Sequence, residues 1–260
     1  MGALLAVVGA TAIAAVVVVR PTHHRQPPGC RATAASGSYG LDLEQAANAA
    51  TIAAIGKRAG LPDHAVTVAL AAALLESRLH NLSSGDRDSV GLFQQRPSQG
   101  WGSPAQLHTP SYAAAAFYRG LEKVRGWATL PVTDAAQRVQ RSAAPLEYAE
   151  WEGEARVLAQ ALTGEVAGGL VCRFQNPPAV TASQSLPTAM AAEVGSPGLG
   201  VAVTEARGWT VAEWLVGHAY EYGITVVDFG GRRWTPASST WGPAPVSSLQ
   251  VEMQQTAVPG

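Results

Sequence analysis

The sequence predicts a mainly α protein with an N-terminal transmembrane helix, a helical domain over residues 41–172 and a small α+β domain over residues 191–260. Three observations support this prediction. Residues 1–19 are apolar and uncharged, which is typical of a membrane span. From residue 41 to residue 164, apolar residues recur at helical spacing and no strand pattern interrupts them. Beyond residue 190, a helical pattern is combined with short β-branched runs.

The composition limits the size and the partners of the protein. Its 260 residues are 47% hydrophobic, which is enough to bury the cores of two modest domains. The 18 basic residues nearly balance the 19 acidic residues, so the formal net charge is −1. Domains that bind nucleic acid usually carry a basic face, and the sequence shows none. We therefore expect no nucleic acid among the partners.

The first stretch, MGALLAVVGATAIAAVVVV, predicts a transmembrane anchor over residues 1–20. A cleaved signal peptide is the alternative, but the valines run directly into Arg20 without the small residues of a cleavage site. Because basic residues follow this stretch and none precedes it, the positive-inside rule would leave the body in the cytoplasm. We give that rule little weight for a single N-terminal helix. We expect a single-pass membrane protein with an extracytoplasmic body, or a secreted protein if the segment is cleaved.

Two cysteines lie near the ends of the helical domain. Cys30 falls within residues 21–40, which are predicted to form a linker because they are rich in Pro, Ser, Gly and Ala. Cys172 follows the last helical segment of the domain. A disulfide between them would join the two ends of an exported domain. The alternative is that both are small unpaired residues.

About five helices are predicted in the helical domain from apolar periodicity and capping signals. Their sequences are LDLEQAANAATIAAIGKRAG, LPDHAVTVALAAALLESRLHN, SYAAAAFYRGLEKV, TDAAQRVQRS and LEYAEWEGEARVLAQAL. Residues 173–190 then read as a second linker. The domain that follows is predicted from one amphipathic helix and from ITVVDF, the turn GGRRW and the final strand SSLQVEM.

Glu76 is the candidate for chemistry, because it lies in the last turn of the second predicted helix between Leu75 and Leu79. Partial desolvation raises the pKa of a carboxyl group and allows it to serve as a general acid. The following loop contains Asp86 and Asp88, and GLFQQRP supplies a glycine, two amides and an aromatic ring. These are parts of a sugar-binding cleft. The alternative is that Glu76 faces solvent and SSGDRD is a solvated turn.

The motif residues resemble those of a known family. Glu76-Ser77 followed by Ser89-Val90-Gly91-Leu92-Phe93-Gln94 resembles the E-S and S-x-x-G-L-M-Q signature of lysozyme-like lytic transglycosylases. Gly85-Asp86-Arg87 is similar to goose-type lysozyme. The segments GDRDSVGLFQQRPSQGWG and VQRSAAPLEYAEWE look like those of exported actinobacterial proteins with a divergent domain of this type. The resemblance covers residues 41–165 and implies a lysozyme-like helical domain.

This resemblance implies cleavage of the β-1,4 bond between N-acetylmuramic acid and N-acetylglucosamine in peptidoglycan. Glu76 would protonate the leaving oxygen, and in a lytic transglycosylase it alone would suffice. An inverting lysozyme needs a second carboxylate, for which Asp86 or Asp88 could serve, so both outcomes stay open. The resemblance also implies supporting or substrate-binding roles for Ser77, Ser89, Gly91, Leu92 and Gln94.

Two departures from the family pattern concern aromatic residues. Phe93 stands where the family has methionine, and the later A-Y-N-x-G motif is absent. Tyr148 is the best substitute for the tyrosine that the family places near the acid, with a core position as the alternative. Trp101 is a candidate for stacking on a sugar ring, or it covers a loop.

The segments GSPGLGVAVTE, EWLVGHAYEYGI and GGRRW of the C-terminal domain resemble, in a degenerate form, the zinc-dependent D-alanyl-D-alanine carboxypeptidases of the M15 type. The positions of the expected ligands hold Pro197, Thr204 and Arg233, which do not bind zinc in the usual way. His218 is alone on its helix and is interpreted as a packed or surface histidine. We therefore expect no metal, no cofactor and no peptidase activity, but binding of wall peptide or of an envelope protein.

Two classes of function follow. The first is an enzyme, a lytic transglycosylase or muramidase that acts on peptidoglycan glycan strands. The second is a non-catalytic peptidoglycan-binding or scaffold protein of the cell envelope. Only the release of sugar products separates them.

Overall fold

Seven strands and nine α-helices are present in the computed structural model, which describes residues 27–141, 147–175, 183–195 and 204–253. The helices are α1 (Leu43–Arg58), α2 (Asp63–Ser77), α3 (Pro104–Leu107), α4 (Pro110–Glu122), α5 (Val132–Gln140), α6 (Glu152–Leu162), α7 (Leu186–Glu193), α8 (Glu205–Gly217) and α9 (Ala219–Tyr222). The strands are β1 (Gly29–Ala34), β2 (Gly37–Leu41), β3 (Leu170–Arg173), β4 (Ile224–Phe229), β5 (Arg232–Trp234), β6 (Gly242–Pro243) and β7 (Gln250–Met253).

Helix α2 is the central helix of the first half of the chain. It contacts α1, α4, α5 and α6, and its residues from Ala65 to Leu74 are all buried. This explains its run of Ala, Val and Leu, since a helix enclosed on all sides has no polar face. The helix ends at Arg78, whose φ of 55° is left-handed. That ending places Glu76 in the last turn, where the burial of the helix gives way to the surface.

Helix α1 begins with a reciprocal cap that its sequence specifies. The Asp42 carboxylate accepts a hydrogen bond from the backbone N–H of Gln45 at 2.8 Å, and the Gln45 amide oxygen accepts one from the backbone N–H of Asp42 at 2.9 Å. This capping box satisfies two donors that would otherwise lack partners at the helix start. It therefore defines where the helical region begins.

A three-stranded antiparallel sheet with the order β2-β1-β3 joins the two ends of the helical region. Cys30 lies opposite Cys172 in this sheet, and the two form a disulfide. The predicted bridge is confirmed. The Trp234 indole N–H donates to the Cys172 carbonyl at 3.0 Å and so ties the C-terminal half to the same sheet.

A second antiparallel sheet, with the order β6-β5-β4-β7, lies in the C-terminal half. Helix α8 contacts this sheet through β4 and contacts α1 on another side. A Cβ added at Gly217 would come within 2.9 Å of the Ala50 Cβ atom, so α8 approaches α1 closely. One continuous hydrophobic cluster includes residues from both halves of the chain.

The predicted fold class is wrong. The structure is about 50% helical and has 15% strand in two small antiparallel sheets. In the described part of the chain, no helix has the length and apolar character that a membrane crossing requires. The predicted transmembrane segment, residues 1–20, lies outside the described residues. The interpretation of residues 21–40 as a linker also fails from Gly29 onward, because that stretch forms β1 and most of β2.

Candidate functional site

A groove of about 1270 Å³ opens beside the end of α2. Glu76 lines it from that end, and the loop that follows residue 85 forms one side. Residues of α4 and of the C-terminal end of α5 also line it. A groove of this size is at or above the upper end of the range for small-molecule sites and can accept several sugar rings.

Glu76 is the one groove carboxyl group that the fold partly buries. Burial raises its pKa above the ordinary glutamate value, and hydrogen bonds from Tyr148 and Gln140 act in the opposite direction. The Tyr148 hydroxyl donates to Glu76 Oε1 at 2.9 Å, and the Tyr148 side chain is itself completely buried. The carboxyl group can therefore hold a proton nearer to neutral pH while one edge remains open to the groove.

Gln140 is held in place by the loop on the far side of the site. Its side-chain N–H donates to the Phe93 carbonyl at 2.7 Å, and its amide also bonds to Glu76. Phe93 is buried and stacks on Phe117 with ring centroids 4.8 Å apart. The position of the acid is thus coupled to α4 and α5 through well-packed side chains.

The loop after α2 is anchored by its own small polar residues. The Ser77 hydroxyl donates to the Leu92 carbonyl at 2.7 Å, and the Ser89 hydroxyl donates to the Asp86 carbonyl at 2.8 Å. Gly91 has a φ of 75°, and a Cβ there would lie 2.3 Å from the Leu107 carbonyl oxygen. A larger residue at position 91 would push the loop away from α3.

The two aspartates of the loop differ in their surroundings. The Asp88 carboxylate accepts hydrogen bonds from Arg96 Nε and from the backbone N–H of Ser98, both at 2.8 Å. These bonds hold the pKa of Asp88 well below its usual value. Asp86 lines the groove, and its side chain is 90% exposed. Asp88 therefore supports the loop, and only Asp86 is open to a ligand.

The structure brings together some of the sequence-predicted site residues. Those that line the groove are Glu76, Asp86, Ser89, Gln94 and Trp101. The others do not line it, and of these Leu92 and Tyr148 are fully buried. The predicted residues outside the lining are Ser77, Asp88, Gly91, Leu92 and Tyr148.

Trp101 lies on the groove wall against α4. A Cβ added at Gly120 would come 3.2 Å from the Trp101 ring, so the indole packs closely on that helix. The Tyr112 hydroxyl donates to the Trp101 carbonyl at 3.4 Å. Both aromatic residues line the groove, and aromatic rings are suited to contact with sugar rings.

Sequence reasoning missed Gln140, Tyr112 and the basic residues of the groove. The basic ones are Arg87, Arg96, Arg119, Lys123, Arg138 and Arg141. The spacing of Arg119 and Lys123, four residues apart at the end of α4, was the available signal. That spacing could not show that α5 contributes two more basic residues, Arg138 and Arg141, to the same groove.

The residues assigned to the degenerate zinc positions have structural roles where they are described. The Arg233 guanidinium forms two bonds to the Asp228 carboxylate, at 2.8 and 2.7 Å. The Thr204 hydroxyl accepts a hydrogen bond from the backbone N–H of Arg207 and caps α8. Pro197 lies outside the described residues. Within the described ranges, no group of three His, Cys, Asp or Glu residues is arranged to hold a metal ion.

His218 is buried between the two halves of the chain. Its Nε2 atom lies 3.2 Å from the Thr51 hydroxyl, and its Nδ1 atom lies 2.9 Å from the Trp214 carbonyl. The Glu193 carboxylate accepts hydrogen bonds from both Thr51 and the Trp214 indole. This cluster has the form of a polar core network, in agreement with the interpretation of His218 as a packed residue.

No protein-family model matches the chain, and no curated protein matches it.

Proposed function

We propose that this protein cleaves the glycan strands of peptidoglycan with Glu76 as the general acid. The observation that carries the proposal is the partly buried Glu76 carboxyl group, which borders a large groove and is oriented by Tyr148. The resemblance of the sequence around Glu76 and Gly91 to lytic transglycosylases supports the choice of substrate.

In the first step, the protonated Glu76 carboxyl group donates its proton to the glycosidic oxygen between muramic acid and glucosamine. The C–O bond breaks, the glucosamine leaves with a new hydroxyl group, and positive charge develops on the muramoyl ring. A proton donor of this kind contributes about 10²-fold to 10⁴-fold to the rate. Burial serves this step, because it keeps the proton on Glu76 at a higher pH than in water.

In the second step, Glu76 acts as the base. Its carboxylate accepts the proton of the muramoyl 6-hydroxyl group while that oxygen attacks the anomeric carbon and closes a 1,6-anhydro ring. Tyr148 assists here, because its hydrogen bond favours the charged form of the carboxyl group. Glu76 is then protonated again and ready for another cycle.

We favour this single-carboxylate route over inverting hydrolysis because of the two aspartates. An inverting enzyme needs a second carboxylate free to activate water. Asp88 bonds to Arg96 and Ser98, and its low pKa makes it a weak base. The Asp86 side chain is exposed, and its Oδ2 atom lies 3.9 Å from Arg87 Nε. Neither aspartate therefore matches the base that an inverting enzyme needs.

The disulfide supports an extracytoplasmic site of action. Cys30 and Cys172 are joined across a sequence separation of 142 residues. Structural disulfides form and persist in oxidising compartments, where the peptidoglycan layer also lies.

The proposal is tested by incubating purified protein with actinobacterial sacculi and analysing the soluble products by mass spectrometry. Anhydro-muramoyl ends are expected from the wild type, and Glu76→Gln should bind the sacculi without releasing product. Reducing ends would point to hydrolysis instead. Release of neither product would overturn the catalytic proposal and favour a non-catalytic peptidoglycan-binding protein.

A further inference from the structure

The wall of the groove that α4 and α5 form carries basic side chains that the proposed chemistry does not use. Arg119 and Lys123 come from the end of α4, and Arg138 and Arg141 come from the end of α5. All four side chains are exposed. The groove holds six cationic side chains and two carboxyl groups, although the whole chain has a net charge of −1. The positive charge is therefore concentrated at the site.

These four cations lack ion-pair partners within the described part of the chain. None of them takes part in the salt bridges of the described residues. The guanidinium of Arg119 lies 5.6 Å from the centre of the Tyr112 ring, which also borders the groove. Their charges are thus available to a ligand.

Basic residues at helix ends are common, because they interact favourably with the helix dipole. The end of α1 provides a comparison, because both of its basic residues have bonding partners. Lys57 pairs with Asp63 at 2.6 Å, and Arg58 donates to the Ala192 carbonyl. The cations at the ends of α4 and α5 make no comparable bonds among the described residues. The helix dipole explains their placement at helix ends, but not their convergence on one groove.

We infer that the groove selects glycan strands that still carry peptide stems, by binding the stem carboxylates on the wall formed by Arg119, Lys123, Arg138 and Arg141. This inference rests on the proposed function, since Glu76 in the same groove requires a glycosidic bond in the ligand. A strand in the groove has its sugar rings beside Glu76 and the aromatic pair Trp101 and Tyr112. The peptide stems on these rings are then within the groove that the four cations line.

The chemistry of the ligand fits this arrangement. N-acetylglucosamine is neutral, whereas the lactyl-linked peptide of muramic acid ends in carboxylates. A neutral glycan would gain nothing from the charges of these four cations. Arginine and lysine at an exposed site bind carboxylates by charge-assisted hydrogen bonds, and this attraction weakens with added salt.

The experiment measures the affinity of Glu76→Gln protein for soluble peptide-bearing glycan strands. The ligand control is the same strands after conversion of their carboxylates to methylamides. The test variant adds Arg119→Gln, Lys123→Gln and Arg138→Gln, and it leaves Arg141 unchanged because that residue adjoins Gln140. The matched control adds Arg31→Gln, Arg125→Gln and Arg156→Gln, which remove the same charge from exposed sites outside the groove.

We expect the test variant to bind the strands about tenfold more weakly than the matched control, from three exposed charge interactions. Raising the salt concentration from about 0.05 M to about 0.5 M should reduce this difference. Methylamidated strands should bind both variants with the same low affinity. In protein that retains Glu76, the three groove substitutions should raise KM and leave kcat unchanged.

Equal binding of the strands by both variants, or equal binding of native and methylamidated strands, would overturn the inference. If the protein bound poly(glycerol phosphate) as tightly as it binds the peptide-bearing strands, the inference would also be overturned, because the groove would then recognise a phosphate polymer. A different result would contradict the proposed function. If protein that retains Glu76 binds the strands in this charge-dependent way but releases no product, the recognition of stem carboxylates is retained and the proposed catalysis is rejected.

Discussion

Glu76 and Glu213 are both glutamates whose burial raises the carboxyl pKa, and they lie in different halves of the molecule. Glu76 borders the groove, while Glu213 has no exposed surface. The Glu213 Oε2 atom accepts a hydrogen bond from the backbone N–H of Leu170 at 3.1 Å, where α8 packs against β3. One carboxyl group can reach a ligand, and the other is enclosed.

This difference teaches that a raised pKa is not sufficient evidence of a catalytic acid. The physical cause is the same at both glutamates, since desolvation disfavours the charged form. What distinguishes Glu76 is the open volume in front of it and a buried tyrosine behind it. Glu213 instead has the backbone of residues 168–170 around it. Its raised pKa lowers the stability of the folded state at neutral pH and serves no reaction.

The strongest test of this comparison replaces each glutamate by glutamine. Glu76→Gln removes the transferable proton, so product release should fall by about 10²-fold to 10⁴-fold. Glu213→Gln should leave product release per folded molecule unchanged, because no substrate reaches that position. Initial rates on sacculi, normalised to the folded fraction, measure both. A large loss in Glu213→Gln with the fold intact would break the distinction.

The second test uses the pH dependence of stability. A glutamate with a raised pKa in the folded state contributes stability below its unfolded pKa, and this contribution is lost as the pH rises through the folded pKa. Each unit by which the pKa is raised corresponds to about 1.4 kcal/mol at neutral pH. Glu213→Gln should therefore increase the free energy of unfolding at neutral pH more than Glu76→Gln does.

Denaturant unfolding from about pH 4 to about pH 8 measures this effect, since the unfolded pKa of glutamate is about 4.3. The variants should differ least from the wild type at the acidic end. Glu165→Gln makes the same substitution at an exposed glutamate and is the control. Parallel curves for the wild type and Glu213→Gln would show that burial of Glu213 carries no such cost.

The third test removes the hydroxyl group behind Glu76. Tyr148→Phe eliminates a hydrogen bond to the charged carboxylate, so the pKa of Glu76 should rise further. The alkaline limb of the pH–rate profile should shift to higher pH, and the maximal rate should fall about tenfold because the carboxylate is less stable in the second step. An unchanged profile would mean that Tyr148 only fills space.

The smallest expected effect concerns the second carboxylate of the groove. Asp86→Asn should change turnover by no more than about twofold, as is typical of an exposed substitution. Asp88→Asn breaks the bonds to Arg96 and Ser98 and should raise KM by loosening the loop. If Asp86→Asn loses as much activity as Glu76→Gln, the reaction is inverting hydrolysis, and its products should carry reducing ends.

The elements that sequence reasoning predicted well have local causes. Helices α1 and α2 follow from apolar periodicity and from a capping box at Asp42, and Glu76 falls in the last turn, as predicted. The disulfide was predicted because its two cysteines flank the helical region. The hairpin β1–β2 was missed because GCRATAASGSYGL is rich in small and polar residues. Its strands are stabilised by pairing with β3, far along the chain.

The sequence by itself determined the long helices α1 and α2 and that a glutamate lies in the last turn of the second, because capping and periodicity act over a few residues. Helix α7 was not predicted, because it begins within residues 173–190, which read as a linker. Only the tertiary structure decided that Glu76 is hydrogen-bonded by Tyr148 and Gln140 and that Asp88 is bonded to Arg96. It also decided that four cations from α4 and α5 share one wall, while Glu213 is enclosed. Burial and contact between distant segments set the pKa and the access of a side chain, and these depend on how helices pack rather than on their neighbours in sequence.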